Sequence, residues 1–193
     1  MRIEIAEESA ASLEDYARVP IAFEIGHILD VARSLDGSEF LLEERALATP
    51  RVKDYDAVAG YRPLDWPDRF DLSSWRFLAA RVNGRRVGGA AVVFRSQSVS
   101  MLEERDDLAL LWDIRVSPTV RGRGIGAALL AAAENWVRQM GGRWLKVETQ
   151  NTNAAACRFY GRQGFVLETV NRSIYPDFPE ELQLLWYKKL GAL

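Results

Sequence analysis

Arg121-Gly-Arg-Gly-Ile-Gly126 is the stretch of this sequence best suited to hold an anion. Its glycines let the backbone come close to a ligand, and its arginines add positive charge. The run stands between an apolar segment, Leu108–Val116, and a segment with helical spacing, so free amides at the helix start would face a diphosphate. Two other readings compete. One is a tight strand-to-helix turn whose arginines face solvent. The other is a dinucleotide fingerprint: Gly122, Gly124 and Ala127 spell G-x-G-x-x-A, and Glu148 follows about 20 residues on. That fingerprint wants its glycines directly after a strand, whereas Ser117-Pro-Thr-Val-Arg121 intervenes here and a hairpin precedes. No Gly-Lys-Ser/Thr occurs, which excludes a P-loop.

Asp113 is the second chemical signal. A carboxylate inside an apolar strand is costly unless it has a partner or a task. Arg115 stands close enough in sequence to be that partner. Metal chemistry is poorly served, because the chain has one histidine, His27, and one cysteine, Cys157. No metal is expected, and no internal disulfide can form.

The chain of 193 residues, 48% hydrophobic and 27% charged, has room for one domain and one sizeable core. Lysine and arginine number 25 against 27 acidic residues, a net charge of −2 that argues against a nucleic-acid partner. The opening MRIEIAEESA carries charge where a signal peptide needs an apolar run. The longest uncharged stretch of the second half, 124–133, is too short for a membrane span. A cytoplasmic location with no membrane partner is the expectation.

These residues must be positioned by strands and helices. Asn83-Gly84 between apolar, β-branched flanks predicts a hairpin over 76–94, and the small residues Gly88 to Ala91 predict close packing or a bulge. Residues 96–107 read as a polar loop, and Leu108–Val116 as a buried strand. Ile125, Ala128, Leu129, Ala132, Ala133, Trp136, Val137 and Met140 fall on one face of a helix over 124–140, ended by Gly141-Gly142. A strand over 144–149, a helix over 154–163 capped by Asn153, and strands over 165–170 and 182–190 follow, with a loop at 174–179. Upstream, 21–35 reads either as an amphipathic helix or as one arm of a hairpin turning at Asp36-Gly37, the preferred reading, with 39–47 returning, and 50–74 reads as an ordered surface loop near a cleft. The order implies a mixed α/β sheet.

Two spaced motifs now resemble the GCN5-related N-acetyltransferases. Arg121, Gly124 and Gly126 meet the acetyl-CoA loop Arg/Gln-x-x-Gly-x-Gly/Ala. Asn153, Ala156, Tyr160, Gly164 and Phe165 meet a second pattern, Asn-x-x-Ala-x-x-x-Tyr-x-x-x-Gly-Phe. The resemblance covers roughly 74–190 and implies an α/β (α+β) fold with a mixed, mostly antiparallel central sheet flanked by helices. It divides the chain into an N-terminal, acceptor-side segment, 1–73, and an acetyl-CoA-binding core, 74–193, in a single domain. Val147-Glu-Thr-Gln-Asn151, Ala156-Cys-Arg-Phe-Tyr160, Tyr175-x-x-Phe178 and Leu185-Trp-Tyr187 look most like streptothricin acetyltransferases. Asn153-Ala-Ala-Ala156 and Tyr175-Pro176 resemble ribosomal-protein N-terminal acetyltransferases. The two helices usual on the family's acceptor side are not evident.

The resemblance also assigns roles. Ile114, Arg115 and Val116 would lie along the pantetheine arm, offering backbone groups as an added strand does. The amides of Arg121, Gly122, Arg123, Gly124, Ile125 and Gly126 would hold the diphosphate, with Asn153 and Ala156 beside the arm. Tyr160 would protonate the leaving thiolate. Glu148 would take the proton of an amine acceptor, with Asp113 as its rival and as a site for a cationic substrate; a nearby Arg115 or Arg172 would instead make either one a structural ion pair. Cys157 reads as a small buried helix residue. Among mostly core tryptophans, Trp66 is the candidate wall of an acceptor cleft. The chain thus resembles an acetyl-CoA-dependent transferase acting on a small amine, such as an amino-bearing antibiotic. A protein N-terminus or lysine is the alternative acceptor, and a CoA-binding module without turnover a third. An exposed last strand could pair two subunits.

Overall fold

The computed structural model describes residues 1–191. In chain order the elements are β1 (Glu4–Glu8), α1 (Leu13–Ala17), β2 (Phe23–Arg33), β3 (Phe40–Lys53), β4 (Trp75–Val82), β5 (Arg85–Phe94) and β6 (Leu108–Val116). Then come α2 (Ile125–Gln139), β7 (Trp144–Gln150), α3 (Ala154–Arg162), β8 (Val166–Asn171) and β9 (Gln183–Lys189). They gather into two compact units. One takes Met1–Phe23, Asp54–Leu145 and the chain from Lys189; the other takes Glu24–Lys53 and Lys146–Lys188.

The first unit is built on antiparallel pairs β1/β4, β4/β5 and β5/β6. Asn83 and Gly84 turn the β4–β5 hairpin with φ of 51° and 74°, as that dipeptide predicts. The expected bulge lies in β5, where the register with β4 slips between Ala80 and Arg81 and leaves Val87 extra, and β6 carries another. Between β5 and β6 the register slips, so that Ala91 faces Asp113 while Val92 faces Leu111, and Trp112 is the extra residue. Gly89 leaves no room for a side chain, since a Cβ there would meet the Tyr16 ring at 2.6 Å.

Tyr16 belongs to an aromatic core with Trp66, Trp75 and Phe77, flanked by Phe70 and Trp112. Trp66 is 1% exposed, with the rings of Tyr16, Trp75, Phe77 and Trp112 5.6 to 6.5 Å from it. The expectation that Trp66 walls a cleft is therefore corrected: it is the centre of a core, where burying each such side chain contributes about 1.5–3 kcal/mol. Short 3-10 turns at Tyr55–Ala57, Pro63–Asp68 and Leu72–Ser74 carry the proline-containing segment inward. In α2 the buried residues include Ile125, Leu129, Ala133, Trp136 and Val137, the face its spacing implies.

In the second unit β2 and β3 form the predicted hairpin, with a return arm that runs on to Lys53. Asp36 accepts hydrogen bonds from the Ser34 hydroxyl and from Ser38, which holds its carboxyl down at about 2. Asn151 ties the unit together. Its Nδ2 donates to Leu29 O at 3.2 Å, its Oδ1 accepts from Leu182 N at 2.8 Å, and its backbone pairs with both residues. Strand β9 lies between β7 and β8, antiparallel to β8. The last strand is thus interior, and it leaves no free edge for a second subunit. In the first unit β1 and α1 are elements that no sequence expectation covers.

Candidate active site

In the first unit, β6 leads through Pro118–Val120 to the glycine turn and α2. Gly122 and Gly124 have φ of 75° and 83°, a backbone that side chains rarely adopt, while the space beside each is open. Gly124 is the N-cap of α2 and offers its amides no side-chain acceptor. The turn therefore presents donors and positive charge, with Gly126 half-buried and Ile125 buried as the helix anchor. Arg121 is spent differently. Its Nε donates to Val116 O at 3.0 Å and its Nη2 to Ala22 O at 2.8 Å, stapling the turn to the end of β6. Partial burial there lowers its pKa from the ordinary arginine value. Arg123, exposed like Arg121, is the second arginine of the turn.

Asp113 and Arg115, one strand residue apart on the same face of β6, form a closed network. Arg115 donates to Asp113 from Nε at 2.9 Å and from Nη2 at 2.8 Å. It also donates to Asp56 Oδ2 at 2.9 Å and to Val19 O at 3.2 Å, and its side chain is 1% exposed. The Tyr16 hydroxyl completes the shell of Asp113. Burial disfavours the charged guanidinium, but the charge and hydrogen bonds of Asp113, with Tyr16 and Asp56, together outweigh it and raise the Arg115 pKa. Burial, then the Asp113 charge, pushes Tyr16 well above 10.0. The side chain of Arg115 is thus committed inside the unit, which leaves only its backbone for a ligand. Ile114 and Val116 are half-buried.

The second unit holds the other carboxylate. Glu148 Oε1 accepts from the Tyr175 hydroxyl and, at 3.3 Å, from Gln150 Nε2. Its Oε2 accepts from Gln183 Nε2 at 2.8 Å. All three donors are neutral, whereas the charge of Asp113 is met by a guanidinium. Arg172, a candidate partner for Glu148, instead donates to Val31 O at 3.3 Å. Asn153 Oδ1 accepts from Ala156 N at 3.1 Å, so its side chain caps α3. Tyr160, 4% exposed, packs on the rings of Phe159 and Phe165. Burial pushes the Cys157 thiol up to about 11, against the smaller opposite pull of its hydrogen bond with Thr149. It is no nucleophile at neutral pH.

Sequence reasoning missed Tyr16 and Asp56, which reach β6 from 97 and 59 positions away. No local signal marks them. It also missed the donors around Glu148. Gln150 was detectable, since residues two apart on a strand share a face. Tyr175 and Gln183 were not, because a loop and a later strand deliver them. Among the described residues no cluster could hold a metal ion, and no helix is long and apolar enough to cross a membrane.

A seven-residue spacing from Asn153 to Tyr160 and a glycine turn before a helix are what one superfamily shares. The acetyltransferase (GNAT) family matches residues 39–165, and the chain belongs to it. A streptothricin acetyltransferase of Streptomyces lavendulae is 31% identical over 145 residues, covering 75% of this chain and 72% of that protein. Streptothricin acetyltransferase A of Bacillus subtilis is 37% identical over 83 residues, 42% of this chain. The chain spans about half, 48%, of the length of that relative. In fold the chain is similar to a crystal structure described as a streptothricin acetyltransferase of Bacillus anthracis with acetyl coenzyme A, with a TM-score of 0.78 and 20% identity over 97% of this chain and 99% of that one. The mixed, mostly antiparallel sheet flanked by helices is the fold of this family.

Proposed function

We propose that the protein transfers acetyl from acetyl-CoA to a primary amine of a small molecule, with a streptothricin-like antibiotic as the acceptor class. The observation that carries this reading is the turn before α2, where positive-φ glycines leave helix amides uncapped for a diphosphate. Acetyl-CoA supplies the activated acyl group as a thioester. The amides of residues 121–126 and Arg123 bind its diphosphate, and Ile114 and Val116 offer backbone groups to its arm. Asn153 turns its amide nitrogen to the same arm, with Ala156 beside it.

An amine acceptor is largely an ammonium ion at neutral pH, and it must lose a proton before it can attack. Glu148 takes that proton, because its carboxylate is met by neutral donors alone. Asp113 is bound to Arg115 and Tyr16, and its part is to fix β6. Tyr160 gives its phenolic proton to the departing thiolate. The likeness in sequence to proteins named streptothricin acetyltransferase supports a small amine over a protein terminus. The enzyme would work in the cytoplasm, where acetyl-CoA is made, and without a nucleic-acid or membrane partner.

The test is release of free CoA thiol against streptothricin, aminoglycosides, polyamines and N-terminal peptides. Thiol release on one small amine supports the reading. Release on peptides alone moves the acceptor to protein, and binding of acetyl-CoA without release on any amine leaves a binding module.

A further inference from the structure

We infer that Tyr175 is a positioning residue that fixes Glu148 so that Oε2 is the atom which takes the proton. This rests on the proposed acetyl transfer and on Glu148 as its base. An ionised carboxylate has about four lone-pair sites, two on each oxygen. On Oε1 both are taken, by the Tyr175 hydroxyl and by Gln150 Nε2 at 3.3 Å. On Oε2 one is taken, by Gln183 Nε2 at 2.8 Å. One site is left, and it is on Oε2.

Tyr175 is itself held. Gln150 Nε2 donates to its hydroxyl oxygen at 2.8 Å, which turns the phenolic hydrogen toward Glu148. The loop that carries Tyr175, between β8 and β9, is strapped further along by two ion pairs. Arg51 meets Glu180 at 2.9 Å, and Lys53 meets the buried Glu181, both from the end of β3. The Lys53 ammonium also lies 5.0 Å from the centre of the Phe178 ring. Loop position and carboxylate orientation are therefore one arrangement. The proton step balances simply: the N–H bond of the ammonium breaks, its electron pair stays on nitrogen, and the proton bonds to Oε2. The free amine then attacks the thioester carbonyl.

A double-mutant cycle on the full chain separates this role from a merely structural one. Tyr175→Phe is expected to lower kcat about tenfold, with the KM for acetyl-CoA within about twofold of the unchanged protein. Glu148→Gln is expected to lower kcat about a hundredfold or more. In the Glu148→Gln background, Tyr175→Phe should cost less than about twofold, because a residue acting through the carboxylate has nothing left to position. Full additivity of the two effects overturns the assignment. If Tyr175→Phe does not fold, Gln150→Met carries the same cycle, since it removes the donor that aims the Tyr175 hydroxyl at Oε1. An unchanged rate in Glu148→Gln also overturns it while leaving acetyl transfer intact. Absence of thiol release by the unaltered protein on every amine fails acetyl transfer itself, and the positioning role with it.

Discussion

The Tyr16 hydroxyl donates to Asp113 Oδ1 at 2.5 Å, joining helix α1 to strand β6 across 97 positions of sequence. The bond makes a fully buried phenol part of the stability of the first unit. Its pKa is raised above the ordinary 10.0, by burial first and the Asp113 charge second. A group raised on folding stabilises below its unfolded pKa, and that stability is lost as pH climbs past it. Tyr16→Phe should cost about 1.5–3 kcal/mol at pH 7 as a lost bond to a charged group. Above pH 10 the deficit of the variant should shrink by about 1.4 kcal/mol per pH unit. Urea unfolding of both proteins between pH 8 and pH 11 checks this; parallel curves would contradict it.

Gly89 lies against the same ring. Gly89→Ala places a methyl carbon where the Tyr16 ring atoms stand 2.6 and 2.9 Å away and Leu78 O 3.1 Å away. The ring cannot retreat without breaking its bond to Asp113. A loss of about 1–3 kcal/mol is expected, read as a lower denaturant midpoint with an unchanged slope.

Cys157 is expected to be inert in the folded protein. With its thiol pushed up to about 11 by burial, almost none is thiolate at pH 8. Mass spectrometry should find iodoacetamide on it in urea and not in native buffer. Cys157→Ala should keep kcat within about twofold, at a stability cost near 1 kcal/mol. Rapid native labelling would place the helix face differently.

Gly124→Ala separates folding from binding at the glycine turn. The space beside Gly124 is open, so the folding cost comes from its φ of 83° alone, about 1–2 kcal/mol. Acetyl-CoA binding by calorimetry should weaken about tenfold or more, equivalent to at least about 1.4 kcal/mol. An unaltered affinity with a lowered Tm would take the diphosphate away from this turn.

Tyr160→Phe tests the acid. The phenyl ring keeps the contacts with Phe159 and Phe165, so the packing around it and acetyl-CoA affinity should hold. Turnover should fall about a hundredfold if the phenol protonates the thiolate. An unchanged kcat removes Tyr160 from the chemistry.

The parts of the molecule legible in the sequence are those whose signals are local. Asn83-Gly84 requires two positive φ angles and found its turn; the spacing from Ile125 to Val137 found the buried face of α2; Asn153 found its cap on Ala156. The β2–β3 hairpin was read from Asp36-Gly37, yet β3 runs past Pro50 to Lys53, because an outer position on a two-stranded ribbon tolerates proline. What stayed hidden is tertiary. Trp66 looks like a surface residue between prolines and is core because three turns fold it under β4 and β6. Asp113 and Glu148 look alike as letters. Their difference lies in Arg115 and Asp56 around one, and Tyr175 and Gln183 around the other.

The rings of Phe23 and Tyr55 touch, with centroids 5.6 Å apart, at the two ends of the excursion that forms the β2–β3 hairpin. Chain leaves the first unit and returns to it through one small aromatic gate. Doubling the length of a loop closed at fixed ends costs only about 0.6 kcal/mol. Added length at the Asp36-Gly37 tip is therefore cheap, whereas the end of the return arm is fixed by the partners Arg51 and Lys53 find in Glu180 and Glu181.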